Sequence, residues 1–327
     1  MKPLAALLLA GLLLTGCRKD DAVFCAPAAS TPTSTVSTLS LAEFVRRNGA
    51  PVQTFTVTLG QAQTITTSAG AIFALPATGW LLPNGTAASG PAQVRIREIY
   101  TVPDMLLSNM PTQTGSNHRL LVSGGEFSIQ LWQNGTRLRL ASTARVVVTS
   151  PAPAGAGANQ GLWQQPANLV RTDSTRWNPV PPASASDSIR FTTAGTAGNQ
   201  PSYRTPIPLD SISWWNIDKL WSLYQAATVV QVVVRPPSIP VSPANNTQVF
   251  LRPVGYNGLI NLYANAATND WVAALPPGAS VVVIVLQTVN GQLYFGTQLV
   301  TAQSGLSITP TLTPVSEAEA VRLIRQL

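Results

Sequence analysis

Val52-Gln53-Thr54-Phe55-Thr56-Val57-Thr58-Leu59 is the stretch from which the fold is read. Phe55, Val57 and Leu59 recur at every second position with threonine between them, and successive side chains of a strand point to opposite faces. The stretch is therefore predicted as a half-buried β-strand. The same period of two continues at 63–67, 71–75, 92–100, 126–133, 136–140 and 145–149, with no helical period between. Asn134-Gly135, between two of these runs, suits a two-residue hairpin, whose central residues both need positive φ. Strands at this spacing point to a sandwich instead of a parallel sheet.

A second β block is predicted at 228–235, 248–252, 259–263, 280–286, 293–301 and 306–312, with a hairpin at Asn290-Gly291. Its unbroken apolar run, Val281-Val282-Val283-Ile284-Val285-Leu286, suits a buried strand. Two capping boxes mark short helices. Ser40-Leu41-Ala42-Glu43 opens one over 41–47, which Asn48-Gly49 and Pro51 close. Ser316-Glu317-Ala318-Glu319 opens another over 316–327, which turns Val321, Ile324 and Leu327 to one side. The expectation is an all-β chain of two β-sandwich domains, 40–150 and 206–327. Residues 151–205, rich in Pro, Gly and Ala, read as a linker or long loop, and 188–193 adds a strand to one neighbour or the other.

Composition agrees with this reading. Of 327 residues 45% are apolar and only 10% charged, so the chain has a core to bury and is not a disordered polymer. The net charge is +7, which makes nucleic acid the first partner to test. Arg95, Arg97, Arg137, Arg139 and Arg145 are spread along strands instead of clustered, which argues against it. An anionic surface such as a glycan layer remains as a partner, beside the plainer reading of a mildly basic solvated face.

Chemistry-bearing motifs are sparse. The single histidine, His118, stands in a polar loop with no second ligand at metal spacing, so neither a metal nor a cofactor is expected. Glu98, Asp104 and Glu126 are weighed as a glycosidase-type carboxylate set. The alternative pairs Glu98 and Glu126 with Arg95, Arg97 or Arg119 on a solvent face. Tryptophan faces stack on sugar rings, which makes Trp177, Trp214 and Trp215 candidate ligand-binding residues, with Trp163 and Trp221 in the same class. Trp214 and Trp215 are adjacent on a strand, so one belongs in the core and the other outside.

The amino terminus sets the expected address. Met1-Lys2 precedes a Leu/Ala run over 4–14 that is too short to span a bilayer and suits a signal peptide. The run closes on Leu14-Thr15-Gly16-Cys17, which resembles the bacterial lipobox. That resemblance implies a signal peptide at 1–16, acylation of Cys17 with palmitate-type chains, and a flexible lipidated tether at 17–39. Arg18-Lys19-Asp20-Asp21 resembles the export tag of Bacteroidota outer-membrane lipoproteins. It implies display on the outer surface, the alternative being the periplasmic face. Cys25 is then left without an internal disulfide partner, to pair between chains or to sit idle.

Further resemblances concern the domains. Gly70-Ala-Ile-Phe-Ala-Leu-Pro76, Gly90-Pro-Ala-Gln-Val94-Arg-Ile-Arg-Glu98-Ile-Tyr100 and Leu121-Val-Ser-Gly-Gly125-Glu126 resemble a recurrent domain of Bacteroidota surface lipoproteins. The match covers about residues 60–150, and more distantly it is similar to the β-sandwich domains of ankyrins and netrin receptors, which are interaction modules. Trp214-Trp215-Asn216-Ile217-Asp218 resembles the segment that opens the second domain of those lipoproteins, with its glycine and cysteine replaced. Asp173-Ser174-Thr175, Asp187-Ser188-Ile189 and Asp210-Ser211-Ile212 resemble a Bacteroidota O-glycosylation pattern, implying Ser174, Ser188 and Ser211 as acceptors. The expected function is a non-enzymatic envelope lipoprotein with an interaction or structural role. The alternatives are a glycan-binding accessory protein and an enzyme with a cryptic carboxylate site.

Overall fold

In the computed structural model the quoted stretch is a strand. Its alternation sets its faces: Val57 and Leu59 are buried, while Thr54, Thr56 and Thr58 are exposed. The structure describes residues 39–115, 117–154, 157–165, 177–182, 184–193, 200–209, 214–225, 228–237, 246–265, 268 and 270–327. Cys17, Cys25, Ser174 and Ser211 lie outside these residues, as do the signal peptide and all but the last position of the tether.

In chain order the elements are α1 (Leu41–Asn48), β1 (Gln53–Leu59), β2 (Gln63–Thr66), β3 (Ile72–Leu75), β4 (Trp80–Leu81), β5 (Gly90–Ile99), α2 (Val102–Leu107), β6 (Leu121–Gln133), β7 (Thr136–Arg137), β8 (Arg139–Leu140) and β9 (Val146–Pro151). There follow β10 (Gly161–Gln164), β11 (Asn178–Val180), β12 (Arg190–Thr192), β13 (Ser202–Ile207), β14 (Trp214–Leu220), β15 (Val230–Val234), β16 (Thr247–Pro253), β17 (Ile260–Asn261) and β18 (Tyr263–Asn265). The chain closes with β19 (Asp270–Leu275), β20 (Ser280–Val289), β21 (Gln292–Thr301), β22 (Ser307–Ile308), β23 (Thr313–Val315) and α3 (Glu317–Ile324). The fold is all-β, and no described helix is long and apolar enough to cross a membrane.

The first sandwich sets a large sheet, ordered β1-β5-β6-β14-β10-β11, against a second ordered β12-β13-β9-β3-β2. Val94, Ile96, Phe127, Ile129, Trp215 and Ile217 meet Phe73, Val146, Val148, Tyr203 and Ile207 between them. Phe73 stands edge-on to Phe127, with ring centres 6.2 Å apart. In the second sandwich, β18-β19-β15-β22 faces β17-β16-β20-β21-β23. Val281, Val283 and Val285 of β20 point into its core with Val232, Val234 and Trp271. Ile284 and Leu286 point the other way, into a third core with Phe250, Leu293 and Phe295. Phe44 of α1, Met105 and Leu106 of α2 and Ile324 of α3 cover that core.

Several expectations change here. Residues 151–205 contribute β10, β11, β12 and most of β13, so the segment read as a linker or long loop supplies strands to both sheets of the first sandwich. The expected start of the second domain, residue 206, falls inside β13, whose partner is β9. β14 likewise pairs with β6 in the large sheet. The reason is non-local pairing: nothing in the Pro/Gly/Ala composition reveals strands whose partners lie far away in sequence.

The two sandwiches are knitted at the start of β6. Leu120 and Val122 pack in the second core, whereas Phe127, Ile129 and Leu131 pack in the first. The Ser123 amide donates to the Asn257 carbonyl at 2.7 Å, and the Thr112 amide to that of Leu259 at 2.8 Å. A Cβ on Gly258 would lie 2.5 Å from the Leu121 carbonyl oxygen, so only glycine lets the two backbones approach this closely.

Local signals act as chemistry requires. Asn134 and Gly135 have φ of 49° and 75°, and Asn290 and Gly291 49° and 80°, the positive pair of a tight hairpin. Ser40 and Ser316 cap α1 and α3, each hydroxyl accepting from the amide three residues on at 3.1 Å. The reciprocal half of each capping box is absent. Glu43 instead holds Arg46 and Arg47, and Glu319 holds Arg322. Glu317 accepts from Asn48 at 2.8 Å and from Arg47 at 3.2 Å, so α1 and α3 touch. Helix α2, which periodicity is too short to reveal, is capped by Thr101.

Candidate functional site

The outer face of the large sheet is built by the residues that alternate with its core. On β5, Ala92, Val94 and Ile96 go in, so Gln93, Arg95 and Arg97 go out. On β6, Phe127, Ile129 and Leu131 go in, so Ser128, Gln130 and Trp132 go out. Strand pairing lines these up in rungs: Thr56 with Gln93 and Trp132, Thr54 with Arg95 and Gln130, and Arg97 with Ser128 and Trp214.

Two arginine–tryptophan stacks result. The Arg95 guanidinium carbon lies 5.1 Å from the centre of the Trp132 ring, and that of Arg97 lies 5.7 Å from Trp214, both within cation–π range. The Trp132 indole N–H donates to Gln130 Oε1 at 3.2 Å. Arg97 Nε donates to the Ala50 carbonyl at 2.6 Å, which fixes its fork beside the end of α1. Among the described residues neither arginine has a carboxylate within salt-bridge distance, and Arg95 has no hydrogen bond to protein. Around them Thr54, Gln93, Arg95, Arg97, Ser128, Gln130 and Trp214 line an open depression of about 530 Å³. Its chemistry is two planar cations, the Trp214 indole, neutral hydroxyl and amide groups, and the exposed apolar side chain of Val52, with Trp132 beside it.

At one end this face runs under the seam between the sandwiches, and its next rung is buried. Ile99 pairs with Glu126, and Glu126 with Asn216, while Asp218 stands opposite Ser123. Ser123, Glu126, Asn216 and Asp218 are all fully buried. Ser123 Oγ donates to Asn216 Oδ1 at 2.9 Å, and the Asn216 amide donates to Asp218 Oδ2. Among the described residues both Glu126 oxygens and Asp218 Oδ1 have no hydrogen-bond partner. Burial first, and then the Asp218 charge, pushes the Glu126 carboxyl well above its ordinary range, with Arg97 opposing. Burial pushes Asp218 up as well, opposed by the nearby Ser123 hydroxyl and the Asn216 amide. Burial disfavours the charged form of both carboxyls, because a buried charge loses its hydration.

The expected site residues are scattered. Trp214 is half-buried on the open face, and Trp215 is 1% exposed in the first core, as alternation requires. Trp177 is fully buried, its indole N–H donating to the Pro111 carbonyl at 2.9 Å, so Trp177 and Trp215 are core side chains away from any open sugar platform. Trp221 is buried, and half-buried Trp163 donates to the Asp218 carbonyl at 2.9 Å. Trp132, which the sequence reading passed over, belongs to the face. Its signal was present in Phe127-Ser-Ile-Gln-Leu-Trp132, where it falls in phase with Ser128 and Gln130. Ser188 is half-buried at the rim of a separate cavity of about 270 Å³, beside the Arg145–Asp187 pair.

The three weighed carboxylates do not assemble into one cleft. Glu98 is buried and accepts from the Gln53 amide at 3.0 Å and the Tyr100 hydroxyl at 2.7 Å. Asp104 sits in the first turn of α2, accepting from the Thr101 hydroxyl at 2.8 Å, with Arg325 at 3.4 Å. Neither Glu98 nor Glu126 pairs with an arginine on a solvent face, since both are buried. The partner that sequence missed is Asp218, brought to Glu126 only by the pairing of β14 with β6. Among the described residues no three His, Cys, Asp or Glu side chains gather. No protein-family model matches the chain, and no curated protein matches it.

Proposed function

We propose that the chain is a non-enzymatic lipoprotein of the cell envelope, held by acyl chains on Cys17 at the outer surface of the outer membrane, and that its large sheet presents a binding face. The observation that carries this reading is the open face on which Arg95 stacks on Trp132 and Arg97 on Trp214, neither with a carboxylate in salt-bridge contact among the described residues. One exposed and one half-buried arginine, each beside a half-buried indole, are side chains of the kind that binding surfaces favour. The lipobox resemblance supports the anchor, and two or more acyl chains hold stably because each buried CH₂ contributes about 0.8 kcal/mol. The resemblance to interaction sandwiches and the dispersal of Glu98, Asp104 and Glu126 support a role without catalysis.

Mass spectrometry of the mature N-terminus, with protease shaving of intact cells, tests the anchor. An acylated Cys17 and surface cleavage are expected, and a Cys17→Ser variant still membrane-bound and unchanged in mass would overturn it. The face is tested on an array of peptides and polysaccharides. Arg95→Ala and Trp132→Ala should each weaken whatever the wild type binds, and a partner retained by both variants would sink the face as the site.

A further inference from the structure

We infer that the ligand of this face is a carboxylate-bearing polysaccharide laid along the strands, an inference that rests on the binding-face reading above. Charge complementarity is the first argument. Arg95 and Arg97 are same-face neighbours on β5, roughly 7 Å apart along the strand, and no exposed carboxylate shares their rungs. Arg95 in particular offers its donors to solvent, and a guanidinium fork matches a carboxylate bidentately. An anionic ligand is therefore drawn to this spot instead of to a mixed-charge surface.

The second argument is the neutral remainder of the face. Among the described residues Thr54, Gln93 and Gln130, with Ser128 buried at the floor, carry hydroxyl and amide groups that no protein partner saturates, the Gln130 amide nitrogen included. Such groups outnumber the two cations. That ratio suits a ligand rich in hydroxyls with an occasional anion, and not a densely charged polymer such as nucleic acid. The third argument is shape. Trp132 and Trp214 stand four residues apart along β6 and one strand across, about 14 Å by strand geometry. Trp214 lines the open depression, and Trp132 stands one rung beyond Arg95 along the strands. A chain of sugar rings laid along the strands meets Trp132 at one end, then Arg95, then the rung shared by Arg97 and Trp214, and presents its carboxylates to the two arginines.

The test uses the full lipidated protein in detergent and three soluble probes: polygalacturonate, the same polymer fully methyl-esterified, and polyglutamate. Affinity electrophoresis or calorimetry should detect polygalacturonate binding that weakens as salt rises. Methyl esterification, Arg95→Ala and Trp132→Ala should each reduce it roughly tenfold or more, as loss of a charge-assisted contact does. Arg145→Ala, at an arginine already paired with Asp187, should leave it unchanged. Equal binding of the ester would overturn the carboxylate requirement, and equal binding of polyglutamate would overturn the polysaccharide. If no probe binds but the array yields a partner lost on Arg95→Ala, the ligand class fails while the face stands. If the array partner survives both substitutions, the face itself fails.

Discussion

On β20 Val282, Ile284 and Leu286 turn away from the second sandwich's core, and on β5 Gln93, Arg95 and Arg97 turn away from the first's. Both strands are ten residues long and run through the interior of their sheets. The outward side of β20 is apolar and lies under α1, α2 and α3, whereas the outward side of β5 is polar and open over Gln93 and Arg95, half-buried at Arg97, and covered only from Ile99. The difference teaches that the second period of a strand, the residues that miss the core, decides what its sheet does next. An apolar second set recruits helices from elsewhere in the chain. A polar set leaves a platform, and here its arginines and indoles give that platform a chemistry.

The comparison breaks first on its covered side. Phe295→Ala removes a buried ring from beneath the helices and is expected to lower unfolding free energy by about 3–5 kcal/mol, read by urea titration. A loss under about 1 kcal/mol would mean that the helices do not seal this face.

Glu126 stands where the open face passes beneath the seam. Its folded pKa is raised above the ordinary 4.5, so the folded state holds the proton more tightly than the unfolded state does. The stability this confers is fully present below about pH 4.5 and is lost as pH rises toward the folded value, by about 1.4 kcal/mol per pH unit. Glu126→Gln cannot ionise. Its stability should therefore fall less steeply with pH than the wild type's, and Asp218 keeps a slope of its own in both proteins. Parallel stability curves would show that Glu126 is ionised in the fold.

Smaller effects sharpen the contrast. Ser316→Ala removes the cap of a covering helix and should cost about 1 kcal/mol by the same titration. Arg95→Ala, on the open side, should change stability by less than about 0.5 kcal/mol, because an exposed side chain without hydrogen bonds holds nothing together. A larger loss there would recast the face as structural.

Much of this contrast could be read from residues alone. Alternation in Val52–Leu59 and in Gln93–Arg97 marks strands with one wet side, and Val281–Leu286 marks a strand dry on both. The Asn-Gly dipeptides gave both hairpins, and the serines gave both terminal helices, because these signals act over three or four residues. Adjacent Trp214 and Trp215 had to part company, and they do. What escaped depends on partners distant in sequence. No local pattern says that β14 pairs with β6, and only that pairing brings Asp218 toward Glu126 or sets Trp214 beside Arg97. Trp177 carried no such excuse of distance from its neighbours, yet its burial is set by segments on both sides of it in space, including the Pro111 carbonyl.

Strand β6 carries a last consequence. Its first residues belong to one apolar interior and its later ones to another, so neither half keeps a complete core once the other is lost. Heat should therefore release both together, in a single calorimetric peak whose van't Hoff and measured enthalpies agree. Cutting the polypeptide between the halves should yield fragments that must associate to regain their melting behaviour.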